Sequence, residues 1–244
     1  MRNMDKSVKE KIIGIIGGMG PAATSDLLSK IIKLTKAKKD QDHIHVIVDN
    51  NPKIPDRSQA IFNNGESPIP ALIESGKMLE RAKVDFIIIP CNTAHFFYDE
   101  LKSHLKIPIV HMIKEVAKKI HKEFPNVRKV GLLSTLSTIK AELYQKELID
   151  FNIEVIKPDE KVQDMVTEAI FGEDGIKRGY FKGRSKQLIY SAIDNLINNG
   201  AELIIGGCTE IPLVVDLKTV PLPFISSNQV LAESAVSIAK GNYA

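Results

Sequence analysis

The feature that most constrains this chain is a repeat. Its only two cysteines, Cys91 and Cys208, each follow a continuous apolar run, and they lie 117 residues apart. The first run reads Val84-Asp85-Phe86-Ile87-Ile88-Ile89-Pro90-Cys91-Asn92-Thr93, the second Ala201-Glu202-Leu203-Ile204-Ile205-Gly206-Gly207-Cys208-Thr209-Glu210. A further landmark shares the register: Ile13-Gly14-Ile15-Ile16-Gly17 aligns with Val130-Gly131-Leu132-Leu133-Ser134. Such a chain is expected to fold as two related halves, each ending a buried strand in a thiol. Facing each other across a cleft, the two thiols would present sulfur to both sides of one substrate atom.

With 244 residues, 43% of them hydrophobic, the chain suits one large domain or two ordinary ones, and the repeat favours two. Short β-branched runs alternate with amphipathic segments, the pattern of parallel sheets covered by helices. Strands are expected at 12–17, 44–49, 86–90, 108–111, 129–133, 153–156 and 203–206, and helices at 21–36, 68–82, 92–105, 139–150, 162–170, 185–198 and 228–240. The fold class is therefore α/β: two pseudo-symmetric α/β domains with mainly parallel sheets and an active site in the interdomain cleft. A third correspondence, Ile107-Pro108-Ile109-Val110-His111-Met112 with Val220-Pro221-Leu222-Pro223-Phe224-Ile225 at an offset of 113, marks the crossings between them. The expected division is 1–108 plus 224–244 for the first domain and 109–223 for the second. Ligands of open parallel sheets sit beyond the carboxyl ends of the strands, where both cysteines fall.

Several functions are excluded or disfavoured. The net charge of +3 arises from 33 basic and 30 acidic residues, mostly interspersed, too small an excess for a nucleic-acid partner. The densest basic cluster, Lys33, Lys36, Lys38 and Lys39, reads as a solvated helix end. No stretch approaches the roughly 18 apolar residues of a membrane span, and the first residues lack a signal-peptide core, so a cytoplasmic location is expected. A disulfide is disfavoured there. Two isolated cysteines with His43, His45, His95 and His111 give no zinc spacing. Burial of both cysteines as small hydrophobes is the plain alternative; their matched strand-end placement argues against it.

Opposed thiols suit one reaction well. Inverting a carbon next to a carboxylate requires a base on one face and an acid on the other. A cysteine serves either role, its pKa of roughly 8.5 being lowered by a helix N-terminus. Asn92-Thr93 and Thr209-Glu210 read as such helix starts. Acid–base catalysis supplies on the order of 10²- to 10⁴-fold, so water exclusion and carbanion stabilisation must add the rest, which predicts a cleft that closes over its ligand.

The segments Gly17-Gly18-Met19-Gly20-Pro21, Ile54-Pro55-Asp56-Arg57-Ser58, Pro90-Cys91-Asn92-Thr93-Ala94-His95 and Gly207-Cys208-Thr209-Glu210-Ile211-Pro212 together resemble the aspartate/glutamate racemase family, closest to its aspartate racemase branch, over nearly the whole chain. The resemblance implies a racemase independent of cofactors, pyridoxal phosphate included, that is a homodimer and uses Cys91 and Cys208 as a thiolate and thiol pair. It places Asn92, Thr93 and Thr209 at the substrate's α-carboxylate and amino group. It assigns Arg57 to an acidic side chain's carboxylate, which a guanidinium grips with two hydrogen bonds. Lys177, 31 residues before Cys208, falls near the position of a second cation, with Arg178 adjacent. The implied substrate is an acidic amino acid. Aspartate leads glutamate, from which one methylene, worth about 1–3 kcal/mol, separates it. Asn51 follows a strand and is expected to face the ligand, or to form a turn before Pro52. His95 and Glu210 are further candidates for tuning the thiols, each with a structural alternative.

Two other classes compete. Gly18-Met19-Gly20-Pro21-Ala22-Ala23 satisfies a dinucleotide-binding fingerprint, although the acid expected about 20 residues later is missing unless Asp49 supplies it. A non-catalytic protein closing two domains on an amino acid is the other; it predicts affinity without α-proton exchange.

Overall fold

A computed structural model describes residues 10–243. The first half contains β1 (Ile13–Gly17), α1 (Pro21–Leu34), β2 (Val46–Asn50), α2 (Arg57–Phe62), α3 (Ile69–Arg81), β3 (Phe86–Ile88), α4 (Tyr98–His104) and α5 (Met112–Glu123). The second contains β4 (Lys129–Leu133), α6 (Leu136–Lys140), α7 (Leu143–Leu148), β5 (Glu154–Ile156), α8 (Glu160–Phe171), α9 (Arg184–Asn198), β6 (Leu203–Gly206), β7 (Phe224–Ser226) and α10 (Ser227–Ala239). Both sheets are parallel. Their orders are β2-β1-β3, extended by a single bridge from Ile87 to Ile109, and β5-β4-β6-β7. Strand for strand the two orders are the same, so the sequence repeat is a structural repeat.

The last correspondence needs correction. Ile87 N–H donates to Pro108 O and Ile204 N–H to Pro223 O, both at 2.9 Å. Pro108 is thus equivalent to Pro223, not to Pro221, and the offset is 115 rather than 113. In this register His111 matches Ser226, and both cap a following helix: Lys114 N–H donates to the His111 side chain at 3.3 Å and Gln229 N–H to that of Ser226 at 3.2 Å. Because β7 lies in the second sheet, we place the crossings at the starts of α5 and α10 instead of at 108 and 224.

The strands flanking each cysteine are buried on both faces, which explains their unbroken apolar character. Ile13 and Ile15 of β1 pack on α1 and α10, while Ile16 packs with Ile87 and Ile89. Pro21 opens α1 at a position where its missing N–H costs nothing. In α5, Ile113, Val116, Ala117 and Ile120 recur at helical spacing. They pack on Leu132, Leu203 and Ile205 of the second sheet. In α10, Leu231, Ala232, Ala235 and Ala239 pack on Ile13, Ile15, Phe86 and Ile88 of the first. Each half therefore sends its last helix onto the other half's sheet, and full burial contributes about 1.5–3 kcal/mol for each Leu, Ile or Val and about 0.8 kcal/mol for each alanine methyl.

Other expectations change in detail. The segment 108–111 forms one bridge rather than a strand. The helix expected at 92–105 begins as a 3-10 turn, Thr93–Phe97, before α4. That expected at 139–150 divides into α6 and α7 at Glu142, whose φ is 55°. The helices α2 and α5 and the strand β7 were not anticipated. Among the described residues no helix is long and apolar enough to cross a membrane, and no group of three or more His, Cys, Asp or Glu residues is placed to hold a metal ion.

Candidate active site

Cys91 and Cys208 lie just past the ends of β3 and β6 and line one cavity. They are 6% and 5% exposed. On the first side Pro90, which has no N–H to donate, follows the strand. On the second, Gly207 lets the backbone lie against the core: a Cβ there would meet Leu132 Cδ1 at 2.6 Å and Tyr144 Cε2 at 2.9 Å. The cavity is only ≈ 20 Å³, space for about one water. An amino acid is larger than this, so its binding requires the lining residues to move apart.

The chain after each cysteine differs from expectation. A 3-10 turn follows Cys91, and another, Ile211–Leu213, follows Cys208. Neither is the α-helix start whose macrodipole was expected to stabilise a thiolate.

On the second side, Glu210 is the centre of a buried polar network and is 2% exposed. Its Oε2 accepts from Cys208 Sγ at 3.0 Å and from Thr209 Oγ1 at 3.2 Å. Its Oε1 accepts from Lys177 Nζ at 2.6 Å and from Gly20 N at 3.1 Å. Burial pushes the Cys208 thiol well up, and the Glu210 charge pushes it further, against the partial opposition of Lys177. Burial would raise the Glu210 carboxyl, but its bonds to Lys177 and Cys208 hold it below the usual carboxylate range. Burial likewise opposes the charge on Lys177, and the Glu210 carboxylate overcomes it, raising the ammonium above its ordinary value. Cys208 is thus a thiol beside an ion pair.

On the first side, His95 Nε2 accepts from Met112 N at 3.0 Å, so Nδ1 carries the ring proton and donates to Cys91 O at 2.9 Å. Burial pushes His95 down to about 4. It is a neutral brace between the Cys91 backbone and the first residue of α5, which decides for the structural alternative. The Thr93 hydroxyl meets Thr135 at 3.1 Å and Thr138 at 2.9 Å, and these two lie 3.0 Å from each other. Asn92 is committed to protein partners: Tyr144 OH donates to Oδ1 at 2.7 Å, and Nδ2 donates to Ser227 Oγ at 3.0 Å.

Of the residues singled out from the sequence, Arg57, Asn92, Thr93, Lys177, Thr209 and Glu210 line the cavity with the two cysteines; Asn51, His95 and Arg178 do not. Asn51 Oδ1 instead accepts from Lys53 N at 2.9 Å, which closes the turn before Pro52. Arg57 opens α2 behind the cap of Asp56. Its Nη1 donates to Ile54 O at 3.1 Å and Pro55 O at 2.9 Å, and its buried Nε has no partner. Met19, Thr135 and Phe171 also line the cavity and were not singled out. Thr135 was open to detection, since the 117-residue register sets it opposite Gly18 of the glycine loop. That loop turns at Gly18, φ 94°, where a Cβ would sit 2.3 Å from the Asn51 backbone. Its Gly20 N–H faces the Glu210 carboxylate, so the glycines of the dinucleotide-like fingerprint receive a side chain from the other half.

Two parallel-sheet units of one strand order, with a buried thiol at matching strand ends, define a two-domain α/β racemase architecture. The chain belongs to the Asp/Glu/Hydantoin racemase family, whose model matches residues 16–235. It is 34% identical over 230 residues to a broad specificity amino-acid racemase, RacX, of Bacillus subtilis, covering 93% of this chain and 97% of that protein. An aspartate racemase of Picrophilus torridus superposes with a TM-score of 0.84 at 36% identity, covering 95% of this chain and 94% of that one. A glutamate racemase of Francisella tularensis in complex with D-glutamate shares the fold, with a TM-score of 0.68 at 18% identity over 96% of this chain and 83% of that one. Family membership displaces the nucleotide-binding reading.

Proposed function

We propose that this chain interconverts L- and D-aspartate without pyridoxal phosphate, using Cys91 and Cys208 as a thiolate and thiol pair. The observation that carries this reading is that the two cysteines, at equivalent strand ends of a doubled fold, line one small cavity. The thiolate on one face takes the α-proton and becomes a thiol. The thiol on the other face gives its proton to the carbanion and becomes a thiolate, so the enantiomer leaves with the two sulfurs exchanged in state. The bond from Cys208 to Glu210 supports Cys208 as the acid and, by complement, Cys91 as the base in the first half-cycle. The unpartnered Nε of Arg57 suits a side-chain carboxylate, with Lys177 as a second cation that it would share with Glu210; Thr93 and Thr209 are the partners proposed for the α-carboxylate and amino group. Closure excludes water and so strengthens each of these contacts. The reading includes a homodimer, which light scattering tests.

A second reading, a broad-specificity racemase, is favoured by the pairing of Lys177 with Glu210 and by the likeness to RacX. Proton NMR in deuterated buffer with L- and D-aspartate, L-glutamate and L-alanine tests both. Deuterium entering at the α-carbon with inversion supports racemisation, and the relative rates choose the substrate class. Folded protein that exchanges none of them overturns it in favour of the non-catalytic binding protein.

A further inference from the structure

The charged residues lining the cavity are Asp56, Arg57, Lys177 and Glu210, two of each sign. Asp56 is exposed and its Oδ1 is occupied as the cap of α2, accepting from Gln59 N at 2.8 Å. Glu210 is different: it is buried and spends its Oε1 on Lys177 at 2.6 Å. The cation placed to receive a substrate's side-chain carboxylate is therefore already holding a carboxylate of the protein, inside the cavity that the substrate must share.

We propose that Glu210 is a specificity-determining residue, which by pairing with Lys177 withdraws that cation from the substrate side chain and caps the preference for acidic over neutral amino acids. The inference rests on the racemase reading above. An incoming side-chain carboxylate meets Arg57 as the only lining cation without a buried counter-charge, because Lys177 and Glu210 together present no net charge to it. A neutral side chain loses nothing by that pairing. Neutralising Glu210 frees the Lys177 charge for the substrate carboxylate, and in a partly buried site one such charge discriminates strongly. The cap acts on the side chain, so it is separable from any influence of Glu210 on Cys208, which is common to every substrate.

The test is the ratio of kcat/KM for L-aspartate to that for L-alanine, since effects on the sulfurs cancel in it. In Glu210→Gln, which keeps the side chain's shape, the ratio is expected to rise at least about tenfold. In Lys177→Met/Glu210→Gln, where both charges are gone, it should return to within about threefold of the unsubstituted protein. Competitive inhibition gives the same comparison without turnover: Ki for succinate relative to propionate should fall in Glu210→Gln. An unchanged or lowered ratio in a folded Glu210→Gln protein overturns the proposal, as does a double variant that keeps the elevated ratio. If Glu210→Gln does not fold, the double variant and Lys177→Met decide. Under the proposal Lys177→Met, leaving Glu210 uncompensated, lowers the ratio well below that of the double variant, and equal ratios overturn it. Absence of α-proton exchange from every amino acid in the unsubstituted protein is a separate result and counts against the racemase reading itself.

Discussion

The hydroxyl of Thr209 shares its one proton between the carbonyl of Pro90 and Oε2 of Glu210, each at 3.2 Å, so the residue after one cysteine is tied to the residue before the other. The reciprocal contact comes from the first half, where Thr93 reaches Thr135 and Thr138 of the second. Each cysteine segment is thus positioned by the opposite half, and relative movement of the halves changes the geometry at both sulfurs at once.

Replacing either sulfur should abolish inversion. In Cys91→Ser and Cys208→Ser, racemisation followed by chiral chromatography is expected to fall at least about 10²-fold, the lower range for loss of one acid or base. A variant that racemises aspartate within tenfold of the unsubstituted rate would remove that cysteine from the mechanism.

The state of Cys208 can be read by alkylation. Its thiol is held up by burial and by the Glu210 carboxylate, and the thiolate is the reactive form. In Glu210→Gln, iodoacetamide at pH 8 should modify Cys208 about tenfold faster, measured by mass spectrometry with Cys91 in the same protein as the reference. An unchanged rate would mean that Glu210 does not hold the proton on the sulfur.

Stability should decline with acid over a defined window. His95, buried and neutral, is pushed down to about 4 from an ordinary value of 6.5. Between these values the unfolded chain binds a proton that the folded chain does not, so unfolding free energy falls as the pH drops from 6.5 to 4. The slope is about 1.4 kcal/mol per pH unit, or about 3 kcal/mol in all for this group. His111, lowered by burial and by His95, acts in the same direction. Urea melts of His95→Gln should show a shallower slope across that window, and an equal slope would assign the acid lability elsewhere.

The threonine triangle gives a purely structural prediction. Thr138 is fully buried, and Thr138→Val leaves the Thr93 and Thr135 hydroxyls one partner short. A loss of about 1–3 kcal/mol in denaturant unfolding is expected. A change within ±0.5 kcal/mol would show that the triangle does not hold the halves together.

The cysteine segments and the strands before them were legible because a strand covered on both faces must be apolar throughout, and Phe86 to Ile89 and Leu203 to Ile205 are. The strand β7 escaped because it is three residues long and follows Pro221 and Pro223 in a segment that read as a crossing between the domains. The helix α2 escaped because it is short and none of its residues is buried, so it has no apolar stripe. A single left-handed residue, Glu142, broke a helix whose periodicity predicted no break. In the site, Glu210 was visible beside Cys208, but its meaning depends on Lys177 and Gly20, which lie 33 and 190 positions away in the chain. No local pattern encodes such a meeting.

The exchanged helices α5 and α10 give this chain the packing logic of a domain-swapped dimer within one polypeptide. Either half alone would leave one sheet face bare until a second copy lent its helix, at a cost set by protein concentration. Joining the two halves replaces that dependence with a fixed effective concentration. Dilution cannot separate the two sulfurs, and the cleft between them has the build of a subunit interface held within one polypeptide.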